Sequence, residues 1–70
     1  MAQSPDSSNK LIRLPQVQEI VPYSRSTIYA LIARGEFPAP VKLAGGRASA
    51  WVLAEVLDHA AERISERQPA

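Results

Sequence analysis

The chain has no cysteine, a single histidine (His59) and only three glycines. Without cysteine there is neither a disulfide framework nor a thiolate metal site, and one histidine does not complete a metal site by itself. The lack of thiols fits a reducing cytoplasm. No stretch approaches the roughly 20 apolar residues of a membrane span, and residues 1–10 are polar, with no signal-peptide core. A soluble, cytoplasmic protein with no membrane partner is expected. Aromatics are scarce as well. Tyr23, Tyr29, Phe37 and Trp51 are the four present, too few for single-strand binding by stacking, which needs several exposed rings.

Catalysis finds no constellation. The hydroxyls of Ser24, Ser26 and Thr27 have no base near them in sequence. Gly45 and Gly46 are too short a run to cradle a phosphate in the manner of a nucleotide loop. His59 is expected to face solvent. Neither an enzyme nor a cofactor is expected.

At 70 residues, the chain has room for one small domain with a thin core, since such domains bury only about 60% of their unfolded surface. A binding surface fits this size better than a pocket with its own supporting shell. Net charge is +1, and its distribution says more than its total. Lys10, Arg13, Arg25, Arg34, Lys42 and Arg47 face only Glu19 and Glu36 in their part of the chain, a balance of +4. From Trp51 onward Arg63 and Arg67 face Glu55, Asp58, Glu62 and Glu66, a balance of −2. Such a chain can offer one surface to a polyanion and another to water or a protein.

Periodicity and punctuation give the element order. Residues 1–9 are small and polar and are expected to form a disordered tail, as are residues 67–70, leaving a domain at 10–66. Leu11, Ile12, Arg13 and Leu14 read as a brief strand or an extended lead-in. Pro15 suits a helix's first turn, Val17, Ile20 and Val21 form an apolar stripe, and Pro22 ends that helix. Ser24 opens a second helix as its N-cap, with Ile28, Leu31 and Ile32 inward and Gly35 at its C-terminal turn. Phe37 is placed to fold back on the helix end. Val41, Lys42 and Leu43 alternate as a strand, residues 44–47 turn, and residues 48–51 return. Leu53, Val56, Leu57, Ala60 and Ile64 then line an amphipathic helix. The predicted fold is mostly α with a small β-hairpin: a helix-turn-helix, a wing and a C-terminal helix.

Chemistry collects on the second helix, whose outward positions are Arg25, Ser26, Thr27, Tyr29, Ala30, Ala33 and Arg34. Arginine forks onto guanine, hydroxyls and tyrosine bind phosphates, and a helix N-terminus favours an anion. Lys42 and Arg47 flank the hairpin tip, where a wing lays cations along a backbone or into the minor groove. Trp51 reads as a core plug. The candidate DNA-binding residues are therefore Ser24, Arg25, Ser26, Thr27, Tyr29, Lys42 and Arg47.

An ordered series of short motifs also resembles a known family. Leu-Pro-Gln-Val at 14–17, Ser-Arg-Ser-Thr-Ile-Tyr at 24–29, Ala-Arg-Gly-Glu-Phe-Pro at 33–38, Pro-Val-Lys-Leu at 40–43, Gly-Gly-Arg at 45–47 and then Trp51 resemble the AlpA family of phage and prophage regulators. That family is related to excisionases and, more distantly, to the DNA-binding domain of MerR-type activators. The resemblance spans roughly residues 11–65. It implies a winged helix-turn-helix that binds duplex DNA, either as a transcriptional activator or as an excisionase, a recombination directionality factor that bends attachment-site DNA. It carries the recognition-helix contacts to Arg25, Ser26, Thr27 and Tyr29, and the wing contacts to Lys42 and Arg47. The chain departs from the family pattern at three places. Pro22 and Tyr23 replace a turn glycine, Ala30 stands where a basic residue often follows the tyrosine, and Val52, Leu53 and Ala54 offer no helix cap. A module this small buries only about 600–1,000 Å² on DNA, so dimers or cooperative rows on repeated sites are expected. A second reading makes the acidic last helix a protein-binding surface for a regulator, an integrase or RNA polymerase.

Overall fold

The computed structural model describes residues 10–67. The expected N-terminal tail, and all but Arg67 of the expected C-terminal one, lie outside the described residues. The order is β1 (Leu11–Ile12), α1 (Leu14–Ile20), α2 (Arg25–Ala33), β2 (Val41–Leu43), β3 (Ala48–Val52) and α3 (Leu53–Ser65). One antiparallel sheet has the strand order β1-β3-β2. The short lead-in is thus a true strand. Leu11 pairs with Val52 and Ile12 with Trp51, which puts β3 in the centre of the sheet rather than at the edge of a simple hairpin.

Local chemistry explains the two short helices. Pro15 lies in the first turn of α1, where a missing N–H is harmless. Gln16 reaches back so that its Oε1 accepts from the Arg13 N–H at 3.0 Å, and Val21 leaves the helix in extended geometry just before Pro22. Ser24 then caps α2, its Oγ accepting the Thr27 N–H at 3.1 Å. At the other end Gly35 takes φ +73°. Its N–H reaches the Ile32 carbonyl at 3.0 Å and the Glu36 N–H reaches Leu31 at 2.8 Å, the paired bonds of a Schellman termination.

The hairpin turn differs in one detail from the sequence reading. Ala44 shares the left-handed geometry with the glycines, at φ 51°, which costs a residue bearing a Cβ roughly 1 kcal/mol.

Ile12, Val17, Val21, Ile28, Phe37, Trp51 and Val56 form the core. Each buried aliphatic or aromatic side chain contributes roughly 1.5–3 kcal/mol over its exposed state. Trp51 is 1% exposed, and its indole N–H donates to the Pro38 carbonyl at 3.1 Å. The residue is the expected core plug, and Phe37 does fold back into the core, at 5% exposure.

Two expectations for α3 need correction. Its buried face centres on Val56, with Leu53 and Ala60 packed beside it, whereas Leu57 is 47% and Ile64 61% exposed. The helix is rotated from the predicted stripe, and the position this brings inward is His59. Rather than facing solvent, His59 is half-buried. Its Nε2 lies 3.3 Å from the Tyr23 hydroxyl, and its ring stands 4.7 Å from that of Phe37. The absent helix cap is also accounted for. Val52 supplies no side-chain bond, but the Lys10 carbonyl accepts the Leu53 N–H at 2.8 Å. With α1 and α2 meeting across a short turn and β2–β3 projecting beside α2, the fold is a winged helix-turn-helix.

Candidate nucleic-acid interface

Helix α2 exposes Arg25, Ser26, Thr27, Ala30, Ala33 and Arg34, since Ile28 turns wholly into the core and fixes the helix's rotation. Tyr29 departs from the expected outward set. It is half-buried, with its ring edge-to-face with Trp51 at 6.2 Å between centroids. The guanidinium of Arg25 lies over the Tyr29 ring, its Cζ 5.3 Å from the centroid. Trp51, Tyr29 and Arg25 therefore form a stack from core to surface that holds a cation at the first turn of α2.

At the same helix end Ser24 does two jobs. Its hydroxyl accepts the Thr27 N–H and donates to Thr27 Oγ1 at 3.0 Å. That donation occupies one acceptor site on the Thr27 hydroxyl and leaves its own proton available to another acceptor. Ser26 is exposed beside it.

The hairpin provides the opposing wall. Lys42 pairs across the strands with Ser49, and its Nζ donates to Ser49 Oγ at 3.3 Å. Arg47 sits just beyond the turn, exposed. A cleft of about 370 Å³ separates hairpin from helix, lined among others by Arg25, Tyr29, Arg47, Ser49 and Trp51, and closed at one end by Arg13 at the start of α1. None of its lining residues is acidic. Of the expected residues, Arg25, Tyr29 and Arg47 meet in this cleft, Lys42 reaches its edge through Ser49, and Ser24, Ser26 and Thr27 lie at the adjoining helix start. Two polar residues outside the expected DNA-binding set also line the cleft, Arg13 and Ser49. The Leu11-to-Arg13 alternation hints that Arg13 is exposed, but only the β1–β3 pairing brings it to the cleft.

Charge pairing sharpens the picture. Among the described residues the ion pairs are Arg34 with Glu36 at 2.9 Å and Arg63 with Glu66 at 2.6 Å. Neither engages Arg13, Arg25, Lys42 or Arg47. Arg34, by contrast, spends its charge on Glu36. The far side of the molecule is different in kind. There a groove of about 830 Å³ runs between the segment after α2 and helix α3, with Glu36, Glu55, Asp58 and Glu62 along it and Phe37 and His59 in it. No group of three or more His, Cys, Asp or Glu side chains among the described residues is arranged to hold a metal, and no helix there is long and apolar enough to cross a membrane.

Residues 10–64 match the family described as "Prophage CP4-57 regulatory protein (AlpA)". The chain is also 45% identical over 62 residues to "Uncharacterized protein ORF88" of Enterobacteria phage P4, an alignment covering 89% of this chain and 69% of that protein. A match spanning nearly all of the described fold places the protein: it belongs to the AlpA family of prophage regulatory proteins.

Proposed function

We propose that this protein is a sequence-specific duplex-DNA-binding transcriptional regulator of phage type, acting in the cytoplasm and without catalytic activity. The observation that carries the reading is the acid-free cleft between α2 and the hairpin, bordered by arginines that pair with no carboxylate among the described residues. Helix α2 enters the major groove, where Arg25 reads a base edge and Ser24, Ser26, Thr27 and Tyr29 hold the backbone. Lys42 and Arg47 anchor the hairpin as a wing. An excisionase role uses the same surface, with the wing contact helping to bend the duplex. Given the small footprint of one module, self-association on repeated sites raises affinity.

The test is fluorescence anisotropy on a pool of roughly 30-base-pair duplexes across a salt series. Wild type is expected to bind, Arg25→Ala to weaken binding and relax sequence choice, and Arg47→Ala to lower the log–log salt slope by about one unit. Absence of binding at low salt, or indifference to both substitutions, overturns the reading.

A specific feature favours a second reading, a protein-binding module. The acidic groove lies along α3, and Leu57 and Ile64 are exposed on the same helix. An integrase, a polymerase or another regulator docked there would depend on Glu55, Asp58 and Glu62, and charge reversal at those positions separates the two readings because DNA affinity would be unchanged or raised.

A further inference from the structure

The cleft between α2 and the hairpin has a third cationic wall that neither the recognition helix nor the wing supplies. Arg13 stands between β1 and α1, exposed, and lines the cleft with Arg25 and Arg47. What fixes it there is backbone. Its N–H is held by Gln16 Oε1, its carbonyl accepts from Gln16 and Val17 at 3.0 and 3.1 Å, and the preceding Ile12 is locked against Trp51 in the sheet. Among the described residues the Arg13 side chain has no ion-pair partner.

We propose that Arg13 and Arg47 seat one DNA backbone phosphodiester in this cleft, a site that rests on the duplex-binding reading above and extends it to a residue outside the helix-turn-helix and the wing. A protein with a helix in the major groove and a hairpin in the adjacent minor groove straddles one sugar–phosphate strand. The space between helix and hairpin is where that strand passes. Three guanidinium groups around one acid-free cleft repel one another, and an anion between them relieves that repulsion. A neutral base edge does not. Hydrogen bonds from a guanidinium to a phosphate are charge-assisted and stronger than neutral ones. Ser49, whose hydroxyl already takes a bond from Lys42, keeps its own proton to offer to the same phosphate. A phosphate contact positions the protein and carries no sequence information.

The experiment compares wild type, Arg13→Ala and Arg13→Lys on a selected duplex and on a scrambled one, across salt. A set of the same selected duplexes carries one neutral methylphosphonate at successive backbone positions. Arg13→Ala is expected to lower the salt slope by about one unit and to weaken both duplexes alike, roughly three- to tenfold at physiological salt. Arg13→Lys is expected to restore the slope, and thermal unfolding to be unchanged in both. One methylphosphonate position should weaken wild type at least as much as Arg13→Ala does, and should cost Arg13→Ala less than it costs wild type, because only the Arg47 and Ser49 contacts are left there to lose. If wild type and Arg47→Ala behave as expected but Arg13→Ala keeps the full slope, or every methylphosphonate adds independently to it, the phosphate seat is wrong and the DNA reading stands. If wild type binds no duplex, both fall.

Discussion

The Arg25 guanidinium lies over the Tyr29 ring, 5.3 Å from its centroid, and Tyr29 in turn meets Trp51 edge-on. The base-reading candidate is therefore braced by the core through a single aromatic ring. Tyr29→Phe keeps the brace and loses one hydroxyl, so DNA affinity is expected to fall about tenfold, the loss of one hydrogen bond to a charged phosphate. Tyr29→Ala removes the platform, worth about 0.5–1 kcal/mol as a cation–π contact at an exposed site, and frees the guanidinium to many rotamers. Its affinity is expected to drop well beyond that of Tyr29→Phe, by about a hundredfold. Equal losses in the two variants, measured by anisotropy, would show that the hydroxyl and not the ring matters.

Ser24 joins stability to binding, and two substitutions separate them. Ser24→Ala removes the cap and should destabilise the fold by about 1 kcal/mol. Ser24→Asp retains a capping oxygen and adds a charge favoured at a helix start, so its unfolding midpoint should match or exceed wild type. That same carboxylate faces the proposed phosphates, and DNA binding is expected to fall at least tenfold. A stable Ser24→Asp protein with intact affinity would remove the start of α2 from the interface.

Partial burial first, and then the neighbouring Arg63, hold the His59 imidazole below its ordinary 6.5, while Glu62 and Glu66 pull the other way. The unfolded chain then binds a proton that the folded chain resists. The stabilisation is complete above about pH 6.5 and is lost as pH falls below it. Thermal unfolding midpoints should decline from about pH 7.5 to about pH 5.5, a range above ordinary carboxylate titration. His59→Gln should flatten that decline. An NMR titration placing His59 at or above 6.5 would contradict the half-buried site against Tyr23 and Phe37.

At Gly35 a Cβ would meet no atom within 4 Å, so the cost of a side chain is conformational alone. Gly35→Ala should lose about 1 kcal/mol through its φ of +73°. Chemical denaturation reads this as a lower midpoint at unchanged slope.

Features governed by near neighbours were legible in the sequence. The Ser24 cap, the Gly35 termination and the core-facing Ile28 each depend on residues a few positions away, and each stands where the pattern put it; the strand at Val41–Leu43 is also in place, although Val41 is exposed rather than turned inward with Leu43. Features that depend on distant partners were not. Arg13 reaches the cleft only because a two-residue strand finds Val52 and Trp51, a pairing too short to carry a signal. His59 turned inward because Phe37 and Tyr23 meet α3 on that side, which made Leu57 and Ile64 the exposed members of their stripe. Tyr29 belongs to both groups: its place on the outward helix face was readable, but its lean onto Trp51 was not.

The bond from the Lys10 carbonyl to the Leu53 N–H gives the order of synthesis a consequence. Strand β1 leaves the ribosome before its partner β3, and α3 takes its starting cap from that same early segment. No prefix of the chain contains a finished core, because Val56 lies beyond every element that it closes. The helix-turn-helix is therefore not a portable fragment: released without α3, residues 10–52 should remain a collapsed and protease-sensitive chain, and structure should arrive in one step when the final helix does.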